Sequence, residues 1–277
     1  MEKTNIFLAG LPSVGKSTYL TALWAIEKDG KSGHLLTCDD FPSDSSYIDG
    51  MRNNWIELKE VRRTTFAEPT EIVLPMKSNR TGKKINLAMP DFQGEIIQRV
   101  ISNSVSSDID EWCDRSDGIL FMLRMPTTSP EMLQEQISPT TEPRLEMEKV
   151  VMQTKDIEVA IQNLLLLKYL YVRMGDCPIS ICFSLWDIAD NANNKTMEEW
   201  VKENHPCIYN FVTEHFSVFR FYGISAQGAS YEDLTDEEGD KLAEKTTKKQ
   251  RAYVYTDQLS YDITEPLYFL ISIQDED

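Results

Sequence analysis

Residues 10–18 read GLPSVGKST, between TNIFLA at 4–9 and a pattern KSTYLTALWAIEKDG that starts at Lys16. The six residues before the glycine are a short apolar run and predict a buried strand. After the loop, Leu20, Leu23 and Trp24 recur at helical spacing, and Gly30 stops the helix. Gly10, Gly15, Lys16 and Ser17 fit G-x-x-x-x-G-K-[ST], set between a strand and a helix. That order is the one a phosphate-binding loop needs. The glycines let the backbone curl so that its N–H groups face phosphate oxygens. Lys16 supplies a point charge at the β and γ phosphates, the Ser17 hydroxyl is the expected Mg²⁺ ligand, and the helix start adds its dipole. Pro12 has no N–H to offer, so the cradle rests on Ser13, Val14, Gly15, Lys16, Ser17 and Thr18.

Working outward, 43–61 places Ile48, Met51, Trp55 and Leu58 near helical spacing and predicts an extra helix. EIVLPMK (71–77) and KINLAMP (84–90), joined by SNRTG, predict a hairpin. DGILFMLRM (117–125) and CPISICFSL (177–185) read as buried strands, with a long, buried helix over about 147–173 between them. Two short helices separated by His205-Pro206, a strand at 218–225, a short edge strand at 251–256 and a closing helix at 264–273 complete the pattern. Residues 126–145 read as an exposed loop or lid, and 228–250 as a charged, mobile insertion. Strands alternate with helices apart from one hairpin, which predicts a three-layer α/β fold with a mostly parallel sheet and helices on both faces. No linker interrupts it, so 1–273 is expected to be one domain, with an acidic tail at 274–277.

The chain has 277 residues, with 28 Lys and Arg against 45 Asp and Glu, a formal net charge of −17. Such a surface repels nucleic-acid backbones and anionic lipid heads, so neither is an expected partner. Five scattered cysteines without a CxxC, and three histidines away from ligand spacing, argue for reduced core thiols and a cytoplasmic location without structural zinc. The most apolar stretch, VAIQNLLLLKYLYV (159–172), is too short and too polar to span a bilayer. Trp24, Trp55 and Trp112 sit on apolar helix faces and are expected in the core.

Three further pieces lie in order along the chain. MPDFQGE (89–95) follows the second hairpin strand. There Asp91 can hold Mg²⁺ through water, and the Gly94 N–H can sense a γ-phosphate. FSLWD (183–187) ends a strand with Asp187, whose carboxylate can accept from guanine N1–H and the exocyclic amine; adenine lacks donors in that arrangement. ISAQG (224–228) ends the next strand, with the Ala226 N–H placed for guanine O6 and Ser225 expected to brace Asp187.

These residues resemble the TRAFAC class of P-loop GTPases, the group that includes Ras-like proteins, from about residue 4 to 273. GLPSVGKST is similar to the first motif of that class, DFQGE to the third and SAQ to the fifth. The fourth, normally Asn-Lys-x-Asp, is here Ser184-Leu185-Trp186-Asp187. The base-reading aspartate stays, the asparagine brace becomes serine, and Leu185, helped by Trp186, would have to cover the base. The resemblance implies a Ras-like G domain that binds GTP or GDP with Mg²⁺. Its second motif implies that Thr64 or Thr65, with Thr70 as a third candidate, closes on Mg²⁺ in the triphosphate state. It also implies that Arg62 acts in cis on the transferred phosphate, as an arginine does in heterotrimeric G-protein α subunits. Glu95 takes the place of the water-positioning glutamine, which implies slow hydrolysis or a requirement for a partner. The run LAGLPSVGKSTYLTALW and the D-x-x-G-E motif are similar to bacterial TRAFAC-type double-GTPase domains, whose members are often linked to defence or conflict systems.

The expectation is therefore a GTP-hydrolysing switch that regulates a protein partner. An ATP-using P-loop enzyme is the alternative; Arg144 is the one arginine in 126–145, which supports a kinase lid poorly. A non-catalytic nucleotide-binding module is the other, motivated by Glu95 and the altered fourth motif.

Overall fold

The computed structural model describes residues 3–28, 30–43, 45–59, 71–90, 107–124, 143–187, 195–231, 234–247 and 249–272. The strands are β1 (Thr4–Gly10), β2 (Leu36–Cys38), β3 (Glu71–Ser78), β4 (Lys84–Pro90), β5 (Gly118–Arg124), β6 (Ile179–Ser184), β7 (Phe219–Ser225), β8 (Tyr253–Tyr255) and β9 (Leu259–Ser260). They form one sheet in the order β2-β3-β4-β1-β5-β6-β7-β8-β9. The five central strands, β4 to β7 in that order, are mutually parallel. β5 and β6 are apolar and buried almost end to end, as central parallel strands covered on both faces must be. β3, further out, alternates buried with more exposed residues.

The helices are α1 (Lys16–Glu27), α2 (Ser45–Ile56), α3 (Ser107–Asp114), α4 (Pro143–Met174), α5 (Met197–Asn204), α6 (Pro206–His215), α7 (Asp236–Thr247) and α8 (Glu265–Ser272). They cover both faces of the sheet. Consecutive residues of a strand point to opposite faces. On one face of β1, Ile6 approaches Gly118, and so does Leu270 of α8. On the other, Phe7 stacks on Trp112 of α3, with ring centroids 6.4 Å apart. The fold is thus α/β with a mostly parallel central sheet.

Several local expectations need correction. The hairpin β3–β4 forms as read, but β2, β8 and β9 add antiparallel pairings at both ends of the sheet. β2 and β9 are three and two residues long, too short to carry a pattern. β8 was expected at the edge, yet it pairs with β7 and β9. The 228–250 insertion contains α7, which covers Gly228 with Leu242. Residues 143–145 belong to α4, while 126–142 lie outside the described residues. α4 is amphipathic over its apolar stretch: Leu166, Leu167 and Leu170 are buried, whereas Ile161, Leu165 and Val172 are exposed. Among the described residues, no helix is long and apolar enough to cross a membrane.

Candidate nucleotide site

Because β1, β4, β5, β6 and β7 run parallel, their carboxyl ends share one edge of the sheet. In open α/β sheets ligands bind at that edge. Gly10, Pro90, Ser184 and Ser225, the last residues of β1, β4, β6 and β7, all lie there.

The phosphate loop follows Gly10. Leu11 and Val14 turn inward, and their burial anchors the loop to the core. Ser13 has φ 62° and Gly15 φ 91°, while Val14 between them is not left-handed. This alternation turns successive N–H groups toward one concavity, the nest geometry that binds anions. Gly10 has φ 143°, and a Cβ there would stand 2.4 Å from the Met122 carbonyl oxygen. Glycine is therefore demanded by both torsion and space. Gly15 caps α1 without a side-chain hydrogen bond, and the first turn of α1 carries no acidic residue. The helix end is left electropositive. The Lys16 ammonium donates to the carbonyl oxygens of Gly10 and Leu11, both at 2.8 Å. Ser17, next along, is half-buried at the loop side of α1.

The fourth motif meets this loop directly. A Cβ on Gly15 would lie 3.6 Å from the Ser184 Cβ and 3.7 Å from its hydroxyl. Leu185 turns the chain with φ 62°, and the Trp186 N–H returns to the Ile224 carbonyl at 3.1 Å. Asp187 then stands at the carboxyl edge. Ser184 Oγ and Asp187 Oδ1 are both buried and have no hydrogen-bond partner among the described residues. Buried polar atoms are rarely left so. A ligand bearing N–H donors beside a phosphate chain would satisfy the carboxylate, so these residues fit a guanine nucleotide. Mg²⁺ in phosphate-transfer sites takes one or two protein ligands and completes its shell with phosphate and water. Ser17 on the first turn of α1 meets that demand.

Trp186 does not cover a base. It is 7% exposed, stacks on Tyr255 at 5.6 Å and meets Trp200 edge-on at 5.0 Å. The sequence expectation for it is corrected: the indole next to Asp187 goes into the core because β7 presents Gly223 beneath it. Leu185 stays half-buried. Ser225 is fully buried, and its hydroxyl accepts from the Gly228 N–H at 2.9 Å, closing its own turn. It also meets Tyr253, its partner in the β7–β8 register. Burial first, and then the nearby Asp187 charge, push the Tyr253 phenol up to about 12, so it remains a neutral group beside the aspartate. Ala226 is half-buried, and its carbonyl accepts from Trp55 Nε1 at 2.9 Å.

Arg62, Thr64, Thr65, Thr70, Asp91, Gly94 and Glu95 lie outside the described residues. Sequence reasoning did not single out Tyr253 or Arg251 for the site, and it assigned Trp55 to the core alone. Tyr253 and Arg251 come to this edge because β8 runs back against β7, and Trp55 because α2 packs on α1, which no local pattern announces.

A family model described as Double-GTPase 1 matches residues 7–270. No curated protein matches the chain in sequence. Among solved structures, the chain is similar to the signal recognition particle receptor SRb-GTP/SRX complex from Chaetomium thermophilum. The identity is 12% and the TM-score 0.41, over 88% of this chain and 99% of that one. It is also similar to the G domain of the T. maritima FeoB iron transporter, with 14% identity and TM-score 0.36, over 89% and 98% of the two chains. A bacterial selenocysteine-specific elongation factor, EF-Sec, aligns with 14% identity and TM-score 0.39; 88% of this chain is covered but only 29% of that one.

Proposed function

The chain belongs to the Double-GTPase 1 family, and from that premise we propose that it is a Mg²⁺-dependent, GTP-hydrolysing switch that regulates a protein partner. The observation that carries the guanine reading is the buried Asp187 Oδ1, which has no hydrogen-bond partner among the described residues. It lies three residues after Ser184, which abuts the phosphate loop at Gly15. In this reading the N–H groups of residues 13–18 and the Lys16 ammonium bind the phosphates. Lys16 exchanges the Gly10 and Leu11 carbonyls for phosphate oxygens. Ser17 and, through water, Asp91 hold Mg²⁺, which neutralises charge developing on the phosphates. Thr64 or Thr65 and Gly94 sense the γ-phosphate, Glu95 orients the attacking water, and Arg62 stabilises the transferred group. A carboxylate at 95 adds negative charge beside an anion, so turnover is slow until a partner engages. One G domain over 1–273, in a cytoplasmic defence or conflict system, belongs to the same reading.

Titration of fluorescent GDP and ATP analogues with Mg²⁺, on the wild type and Asp187→Asn, tests it. The wild type should prefer GDP, and the variant should lose that preference. Equal binding of both bases by the wild type defeats the guanine reading and favours an ATP-using enzyme. Preferential GTP binding with no phosphate release leaves the non-catalytic module.

A further inference from the structure

The loop after β7, which carries Ala226, is held from behind by two residues far away in sequence. Trp55 of α2 is 1% exposed, and its indole N–H reaches the Ala226 carbonyl at 2.9 Å. Arg251 is equally buried. Its guanidinium carbon lies 3.9 Å from the Trp55 ring centroid and 5.0 Å from that of Tyr231. Its Nε donates to the Gln227 carbonyl at 3.1 Å and its Nη1 to Thr246 Oγ1 at 2.9 Å. No carboxylate is among its hydrogen-bond partners in the described residues, and Nη2 has none there. Burial pushes this guanidinium down to about 9, still charged near neutral pH. A buried cation held by π faces, one carbonyl and one hydroxyl is costly to keep. Its geometry is what it contributes.

That geometry sets two consecutive peptide units. No peptide bond of the described chain is cis. In a trans unit the carbonyl and the N–H point to opposite sides. With the Gln227 carbonyl on Arg251, the Gly228 N–H turns the other way and reaches Ser225 Oγ. With the Ala226 carbonyl on Trp55, the Gln227 N–H is likewise turned away from α2. Gly228 has φ 83°, and a Cβ there would stand 2.6 Å from the Arg251 carbonyl oxygen, so the loop lies tight on its support.

We propose that Trp55 is a positioning residue for base recognition: its indole N–H fixes the Ala226–Gln227 peptide, Arg251 fixes the indole and the next peptide behind it, and together they hold Ala226, whose N–H in the preceding peptide unit is the one aimed at the base. Helix α2 thereby becomes part of the base pocket without touching the base. This rests on the guanine reading of Asp187 and Ala226.

The test uses the full chain with Mg²⁺ and three probes: fluorescent GDP, fluorescent ADP and inorganic pyrophosphate. Trp55→Phe keeps the ring under Arg251 and removes the N–H. GDP affinity should fall about fivefold, the effect of one hydrogen bond, while pyrophosphate affinity, which reads the phosphate loop alone, stays unchanged. The preference for GDP over ADP narrows accordingly. Arg251→Lys, which keeps the charge but gives up the planar stack and the Nε bond, should narrow it too. It serves as the second variant if Trp55→Phe does not fold. If the wild type prefers GDP and a folded variant keeps that preference, the positioning role is wrong and the guanine reading stands. A parallel loss for GDP, ADP and pyrophosphate makes the contact merely structural and also overturns it. A wild type with no preference for GDP removes the guanine reading, and this inference with it.

Discussion

A Cβ placed on Gly223 would stand 2.3 Å from the Cδ2 atom of Trp186. The indole lies against bare backbone of β7 and is pinned on its other sides by Tyr255 and Trp200. Trp186 directly precedes Asp187, so the packing of a core side chain sets the position of a candidate base reader. Gly223→Ala should lower unfolding stability by about 1–3 kcal/mol, the usual cost of overpacking a core. It should also weaken GDP binding more than pyrophosphate binding. Urea unfolding and the two titrations measure this. An alanine variant of wild-type stability would mean that the indole has room to move, and the proposed link to Asp187 would be wrong.

Lys16 is bonded to the loop it belongs to, at the carbonyls of Gly10 and Leu11. The phosphates must take the ammonium from these acceptors, and a charge-assisted bond to phosphate is the stronger of the two. Lys16→Ala should weaken GDP and pyrophosphate alike, by roughly ten- to a hundredfold for one charged hydrogen-bonding group. Its base preference should stay intact, the opposite signature to that of Trp55→Phe. An alanine variant that binds pyrophosphate as the wild type does would remove Lys16 from the phosphate site.

How much of this was legible in the sequence follows from the range of each signal. β1, the loop and α1 are contiguous and spelled by local residue types, so this strand, turn and helix could be read directly. α2 was legible because Ile48, Met51 and Trp55 recur at helical spacing, and all three are buried. α7 escapes a sequence reading because Leu242 alone of its twelve residues is buried. A usable signal existed: Thr235 and Glu238 exchange capping hydrogen bonds at its start, as Thr196 and Glu199 do at α5. The support behind the loop after β7 was not legible at all. Trp55 comes to Ala226 with α2, which packs on α1 through the Trp24–Asp49 hydrogen bond, and Arg251 comes with the return of β8 along β7. Trp186 was misread for a similar reason, since its partner Gly223 is adjacent only through the β6–β7 register.

The remaining expectation concerns pH, and two histidines set it with opposite signs. His34 Nδ1 lies 2.5 Å from Oε1 of the fully buried Glu27 and 3.8 Å from Asp262. Burial opposes its charge, and so does Lys249, but the Glu27 hydrogen bond and the charges of Glu27 and Asp262 outweigh them and raise its pKa above 6.5. Its stabilising contribution is therefore complete below about pH 6.5 and is lost as pH rises through the folded value. His205 is the reverse. Its ring packs on Phe183 and Trp200, its Nε2 is buried without a partner among the described residues, and burial pushes it down to about 4. The unfolded chain takes up that proton first, so stability falls as pH drops from about 6.5 toward about 4. The contributions of these two groups together peak around pH 6.5; Glu265, whose carboxyl pKa is raised by burial, works against His205 on the acidic side. Urea midpoints at about pH 5, 6.5 and 8 should show the maximum in the wild type. His34→Gln should flatten the alkaline limb and His205→Phe the acidic limb, each leaving the other in place. A wild-type midpoint that climbs from about pH 6.5 to 8 would contradict the His34–Glu27 pairing, since the imidazole shares Glu27 with the Ser32 hydroxyl and is its one cationic partner among the described residues.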